Sequence, residues 1–308
     1  MANIVVAGSL NMDLVIKAPR APEAGETIRG HDFKIVPGGK GANQAAAAAK
    51  LGGDVAMVGR VGGDAFGPVL IQNMAAQGVH TDHIMTDPDV STGVAVIVVD
   101  DRGENRIIIS AGANGRVHNS DIDRAAKLLH NAGFLILQFE IPLDVVDYAI
   151  DQAAEHAVKV ILNPAPATPV SEQFLRRVDW LVPNETEARI LTGVDVSDMD
   201  SAQRAAQQLH GFGVRNVIIT LGERGALLST MDGGATTHVP THQVQVVDTT
   251  AAGDAFIGGL AVALMRGFSS VEAVRYANCA GALKVTRFGA QPALPTAQEV
   301  DALYAAKS

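Results

Sequence analysis

The chain has 308 residues, 47% of them hydrophobic but only 4% aromatic, and a formal net charge of −9 at pH 7. That length suits one α/β body around a single sheet, and the acidic balance argues against general affinity for nucleic acid or an anionic membrane. One cysteine, Cys279, excludes an intrachain disulfide framework and fits a reducing, cytoplasmic setting.

The first apolar run, NIVVAGSL, is short, lacks a basic flank and is followed by Asn11 and Asp13, so it reads as a strand and not as a signal peptide. Asp13 to Val36 holds turn formers between short extended runs, and a glycine cluster, Pro37 to Gln44, leads into an alanine-rich helix from about Gly41 to Leu51. DVAMVGRVG then reads as a strand and Ala65 to Gln77 as a helix, with His80 and His83 in a loop. Thr92 to Ser110 reads as two strands joined by Asp101-Arg102-Gly103-Glu104.

From there AGFLILQ, VVDYAIDQAAEHA, VKVILNP, VDWLVPN, a helix after Asn184 and NVIITLG continue an alternation of β and α. Alternation at this spacing implies a mainly parallel sheet with helices on both faces. The two excursions, about 13–36 and 92–110, are expected to form a small β-sheet lid on a single domain spanning residues 1–308. No stretch approaches the roughly 18 apolar residues of a membrane span.

Ligands of open α/β sheets bind beyond the carboxyl ends of the strands. Asn11, Asp13, Glu140, Asn184 and Gly222 fall there, as does the segment Asp248 to Phe256, DTTAAGDAF. In that segment Ala251, Ala252 and Gly253 can offer free N–H groups at a helix N-terminus, which suits a phosphate and the charge of phosphoryl transfer. Asp254 then stands where a substrate hydroxyl would meet the phosphate as its base, or else simply favours the helix dipole. In the glycine cluster, Lys40 and Asn43 supply polar contacts on a backbone able to approach a ligand closely. It is not a Walker loop, because Gly41 follows the lysine. Asn184 and Glu187 have capping-box spacing, compatible with placement near magnesium and nucleotide phosphates. The nine histidines form no metal set, since Pro240 lies between His238 and His242.

Taken in order, GSLNMD, PGGKGANQA, STGVAVI, AGAN, NPAPA, PNETE, TLGERG and DTTAAGDAF resemble the ribokinase-like kinases of sugars and nucleosides, over almost the whole chain. The resemblance implies a doubly wound α/β/α core with a β-sheet lid that joins two copies into a homodimer. It implies transfer of the γ-phosphoryl of ATP to the 5-hydroxyl of D-ribose, with 2-deoxyribose, another sugar or a nucleoside as alternative acceptors. A sugar-binding sensor without catalysis is the non-enzymatic alternative.

Carried onto matching positions, Asn11, Asp13, Gly39, Lys40, Asn43 and Glu140 would hold the sugar, with Asp254 as base. The amides of Ala251, Ala252, Gly253 and Asp254 would form the anion hole. Asn184, the loop Thr220-Leu221-Gly222-Glu223-Arg224-Gly225, Gly253 and Asn278 would line the ATP site, with Glu187 helping to organise Mg²⁺. A monovalent cation, usually potassium, would sit beside the anion hole at Asp248, Thr250, Lys284, Arg287, Gly289 and Ala293. At Ala293, where relatives can carry serine, only a backbone contact would remain.

Overall fold

The computed structural model describes residues 3–102, 104–231 and 236–306. Gly103, in the expected turn of the lid, lies outside them. The strands are β1 (Ile4–Ala7), β2 (Asn11–Lys17), β3 (His31–Gly38), β4 (Val55–Gly62), β5 (His80–Asp87), β6 (Gly93–Val99), β7 (Asn105–Ser110), β8 (Phe134–Leu137), β9 (Lys159–Leu162), β10 (Trp180–Leu181), β11 (Asn216–Thr220), β12 (Ala226–Thr230) and β13 (Thr236–Val239).

Nine of them form one sheet in the order β13-β12-β11-β10-β9-β8-β1-β4-β5. Pairing is parallel from β11 to β5, and β12 and β13 close one edge antiparallel. Alternate residues feed two cores, as the two-residue period of a strand requires. Ile4, Val6 and Ile136 join one apolar cluster with the helices Lys40–Lys50, Ala252–Met265 and Ser270–Val285. Val5, Leu135 and Leu137 join the other with the helices Leu143–Glu155 and Met199–Gly211. Helices therefore cover both faces, and the loops at the strands' carboxyl ends converge on one rim.

His80 and His83 do not lie in a loop. They belong to β5, an edge strand paired in parallel with β4. Only Ile84 of that strand is buried, so its alternating apolar signal is too weak to read from composition.

The remaining strands build a separate four-stranded sheet, β3-β2-β6-β7, in which two antiparallel pairs are joined by parallel pairing of β2 with β6. One registered row, Ile35–Leu14–Val96–Ile108, crosses all four strands. The opposite face, with Asp13, Val15, Lys34, Val36 and Ile97, lines a cavity closed on its far side by Val246 to Thr250 and Phe288 to Ala290. Lys34 reaches across it to lie 4.3 Å from the centre of the Phe288 ring.

Candidate active site

Asp254 lies in the first turn of the helix Ala252–Met265 and is buried. Its two carboxylate oxygens are held separately: Asn43 Nδ2 donates to Oδ2 at 3.0 Å and Gln44 Nε2 to Oδ1 at 3.0 Å. Both donors come from the helix Lys40–Lys50, whose start is set by Gly39. Gly39 has φ +91°, and a Cβ there would stand 2.7 Å from Asn11 N, so only glycine lets the chain turn against β2.

Behind Asp254 runs a chain of amides. Gln138 Nε2 donates to Gln44 Oε1 at 2.6 Å, Gln44 Nε2 also reaches Asn163 Oδ1 at 3.2 Å, and Gln291 Nε2 donates to Asn43 Oδ1 at 3.1 Å. Gln291 Oε1 in turn accepts from Asn73 and Gln77. Donors on both oxygens hold the Asp254 carboxylate in one orientation, while Gln138 Oε1 and Gln77 Oε1, at the two ends of the chain of amides, are buried without a partner among the described residues. Asn43, expected at the sugar, is thus also the side chain that orients Asp254.

The expected sugar-side groups gather on the same rim. Ser9 Oγ donates to Glu140 Oε2 at 2.5 Å, and the Lys40 N–H donates to the same oxygen at 3.1 Å. Asn11 is buried, with its Oδ1 accepting from Asn114 Nδ2 at 2.7 Å. Asp13 faces Glu140 and Asp254; burial above all, and then those two charges, push its carboxyl up to about 7. Burial would lower the Lys40 ammonium, but Asp254, Glu140 and Glu187 together hold it above the ordinary lysine range.

Next to Asp254 is a polar cavity of about 210 Å³ lined by Lys40, Asn163, Asn184, Glu187, Thr220 and Ala251 to Gly253, among others. Asn184 caps the helix Glu185–Thr192 in a full capping box with Glu187, as their spacing predicts. Burial raises the Glu187 carboxyl despite the N–H of Asn184 and the nearby Lys40.

Ala251 takes a left-handed conformation, φ 59°, which reverses the chain into the helix. The turn that follows commits the Ala252 N–H to the Thr249 carbonyl at 3.1 Å. Ala252 therefore does not offer its amide to an anion as expected. Gly253 and Asp254 are first-turn residues whose N–H groups have no acceptor among the described residues.

A second cavity, of about 270 Å³, adjoins this helix start on the other side. Of the residues expected at a nucleotide, Thr220, Gly222, Glu223, Gly225, Gly253 and Asn278 line it together. Asn278 Nδ2 donates to the carbonyls of Val239 and Pro240. Leu221 and Arg224 are not among its walls. Leu221 is buried in the core, and Arg224 turns away to Glu185 and the Ser197 carbonyl. The residues Thr241 to Val244, with Val246, form a wall that no motif announced, because that stretch has neither helical nor strand period.

Of the six positions expected around a monovalent cation, all but Ala293 are tied together by hydrogen bonds among the described residues. Asp248 Oδ1 accepts from Thr250 N and Oγ1, and Oδ2 accepts from Gly289 N. Lys284 Nζ, fully buried, donates to the Asp248 carbonyl at 2.7 Å and lies 3.9 Å from Asp248 Oδ2. Burial lowers the Lys284 ammonium against the pull of Asp248 and Asp254. The Lys284 carbonyl accepts from Arg287 N, while the Arg287 side chain pairs with Glu299. Ala293 is buried, and its N–H donates to Ala290.

Known proteins resemble this chain in sequence and in fold. The ribokinase of Haemophilus influenzae is 42% identical over 296 residues, 96% of either chain. The deoxyribokinase of Salmonella typhi is 41% identical over 298 residues, 96% of this chain and 97% of its own. The solved structure of Arabidopsis thaliana ribokinase complexed with ribose and ATP superposes with a TM-score of 0.92 at 36% identity, over 98% of each chain. The family model for pfkB family carbohydrate kinases matches residues 1–297, and the chain belongs to that family.

Proposed function

We propose that the protein transfers the γ-phosphoryl group of ATP to the 5-hydroxyl of D-ribose, with Asp254 as the base that takes the hydroxyl proton. The observation that carries this is the placement of the Asp254 carboxylate. It is fixed by Asn43 and Gln44 between the polar groups under the lid and a helix start where the N–H groups of Gly253 and Asp254 have no acceptor among the described residues. As the sugar oxygen bonds to the γ-phosphorus and the bond to the β-phosphate oxygen breaks, the hydroxyl proton passes to Asp254. Charge on the transferred group meets the N–H groups of Gly253 and Asp254 and the Lys40 ammonium at the edge of the same polar cavity.

A polyol needs paired donors and acceptors, and Asn11, Asp13, Asn43 and Glu140 supply them. Adenine and ribose of the nucleotide would occupy the cavity lined by Gly222, Glu223, Gly225 and Asn278. Magnesium, bound with ATP, neutralises phosphate charge. Glu187, whose carboxylate borders the polar cavity and accepts from the side-chain amides of Asn163 and Asn184, would hold such a hard cation, directly or through water.

The outer lid face supports a homodimer: Phe33 is 58% exposed, Ile35 52% and Ile108 73% in the single chain, and a second copy would cover them. Cys279 is buried, in keeping with a reducing cytoplasm. No helix among the described residues is long and apolar enough to cross a membrane.

A 2-deoxyribose acceptor is the second reading, favoured by the likeness to a deoxyribokinase. A coupled ATP-consumption assay over ribose, 2-deoxyribose, fructose and adenosine decides between them. Preference for ribose is expected. Preference for deoxyribose moves the acceptor but keeps the Asp254 chemistry, and no turnover with any of the four leaves a binding protein.

A further inference from the structure

The residues at Asp248 do not present an open cage for a potassium ion, because an ammonium group already stands there. The Asp248 carbonyl and carboxylate, the oxygens best suited to a cation in this loop, face Lys284 Nζ at 2.7 and 3.9 Å. Lys284 has no solvent exposure, and a buried ammonium persists only where it is paired. Its stem comes from the last turn of the helix Ser270–Val285, where the helix dipole also favours a cation.

Asp248 is a junction of the site. Its backbone N–H and that of Val247 donate to the Val285 carbonyl, and its carboxylate holds Thr250 on one side and Gly289 on the other. Ala251, left-handed, follows Thr250 and begins the helix that carries Gly253 and Asp254. Whatever neutralises Asp248 therefore fixes the path of the chain into the anion-binding turn. An ammonium resembles potassium in charge and size, so one attached to the chain serves this purpose without a bound ion.

We infer that Lys284 is a built-in monovalent cation, a positioning residue that makes the kinase independent of dissolved potassium. This rests on the kinase reading above, and the two fail in different ways. The test compares potassium chloride with tetramethylammonium chloride at equal ionic strength, for the parent protein and for Lys284→Ala. For the parent, turnover is expected to agree within about twofold between the salts, and so is the concentration of ATP at half-maximal rate. Its melting temperature is expected to be the same in both.

Lys284→Ala leaves a cation-sized space beside an uncompensated Asp248. It is expected to lose about tenfold or more of its rate in tetramethylammonium, to regain most of it in potassium, and to melt higher in potassium. A parent enzyme that is activated severalfold by potassium, or stabilised by it specifically, overturns the inference while leaving the kinase intact. So does a folded Lys284→Ala that is equally impaired in both salts. Should that variant not fold, the salt comparison on the parent decides alone. A parent that turns over no sugar in either salt contradicts the kinase reading instead, and its melting in the two salts still tests the lysine.

Discussion

Gln44 Nε2 lies 3.0 Å from Asp254 Oδ1, although the two residues are 210 positions apart in the chain. With Asn43 on the other oxygen, it fixes the plane of the carboxylate, and of the two donors only Asn43 also belongs to the groups expected at the sugar. Gln44→Met keeps the volume and removes the donor. It is expected to lower kcat about 10- to 100-fold with little change in the KM for sugar, the split of a residue that orients a base. Steady-state kinetics check this, and a raised KM at unchanged kcat would assign Gln44 to sugar binding instead.

Asp13 ties pH to both stability and affinity. Its carboxyl, pushed up to about 7 by burial and then by Glu140 and Asp254, keeps a proton in the folded protein that the unfolded chain has lost. Stability from this group therefore falls as pH rises from its ordinary value of 3.8 to about 7, and stays reduced above that. Asp13→Asn is expected to melt ~2 °C or more above the parent at about pH 8 and level with it at about pH 4. The same variant is expected to bind ribose about tenfold or more weakly at about pH 8, because it replaces a charged acceptor. Thermal scans and calorimetric titration across pH measure both effects. A parent more stable at the alkaline end, relative to the variant, would show the sign to be wrong.

Gly39→Ala places a Cβ 2.7 Å from Asn11 N and 2.9 Å from Ser9 O, at φ +91°. The expected cost is ~2 kcal/mol or more in denaturant unfolding, because backbone and not a flexible side chain must move. The shift also carries the Lys40 N–H away from Glu140, so the KM for sugar rises. A variant of parental stability and KM would show that the turn has room to relax.

The outer row of the lid predicts an oligomeric state. Ile108→Asp puts a charge at a position 73% exposed in the single chain, where it does not disturb folding but cannot be covered by an apolar partner. Sedimentation is expected to show a dimer for the parent and a monomer for the variant. A monomeric parent, or a variant that stays dimeric, would remove the lid from the interface.

Much of the site was legible because its chemistry is local. The capping box of Asn184 and Glu187, the turn at Gly39 and the acidic first turn at Asp254 are each set by neighbours in the chain. The amides behind Asp254 were not legible in the same way. Gln44 sits in an alanine-rich helix, and only the fold brings Gln138, Asn163 and Gln291 to it or to Asn43. Lys284 was expected beside a bound cation, and the use of its own ammonium depends on where the last turn of its helix meets Asp248. The β-α alternation revealed the parallel core, whereas β5 was missed because an edge strand with a single buried residue carries little pattern.

The central claim, that Asp254 is the base of a phosphoryl transfer to ribose, is tested most directly by Asp254→Asn. Ribose 5-phosphate formation is followed by phosphorus NMR, and ribose binding by calorimetry on the same preparation. Turnover is expected to fall by about 10³-fold or more while ribose still binds within about tenfold of the parent. Turnover close to that of the parent, with ribose still bound, would contradict the role given to Asp254.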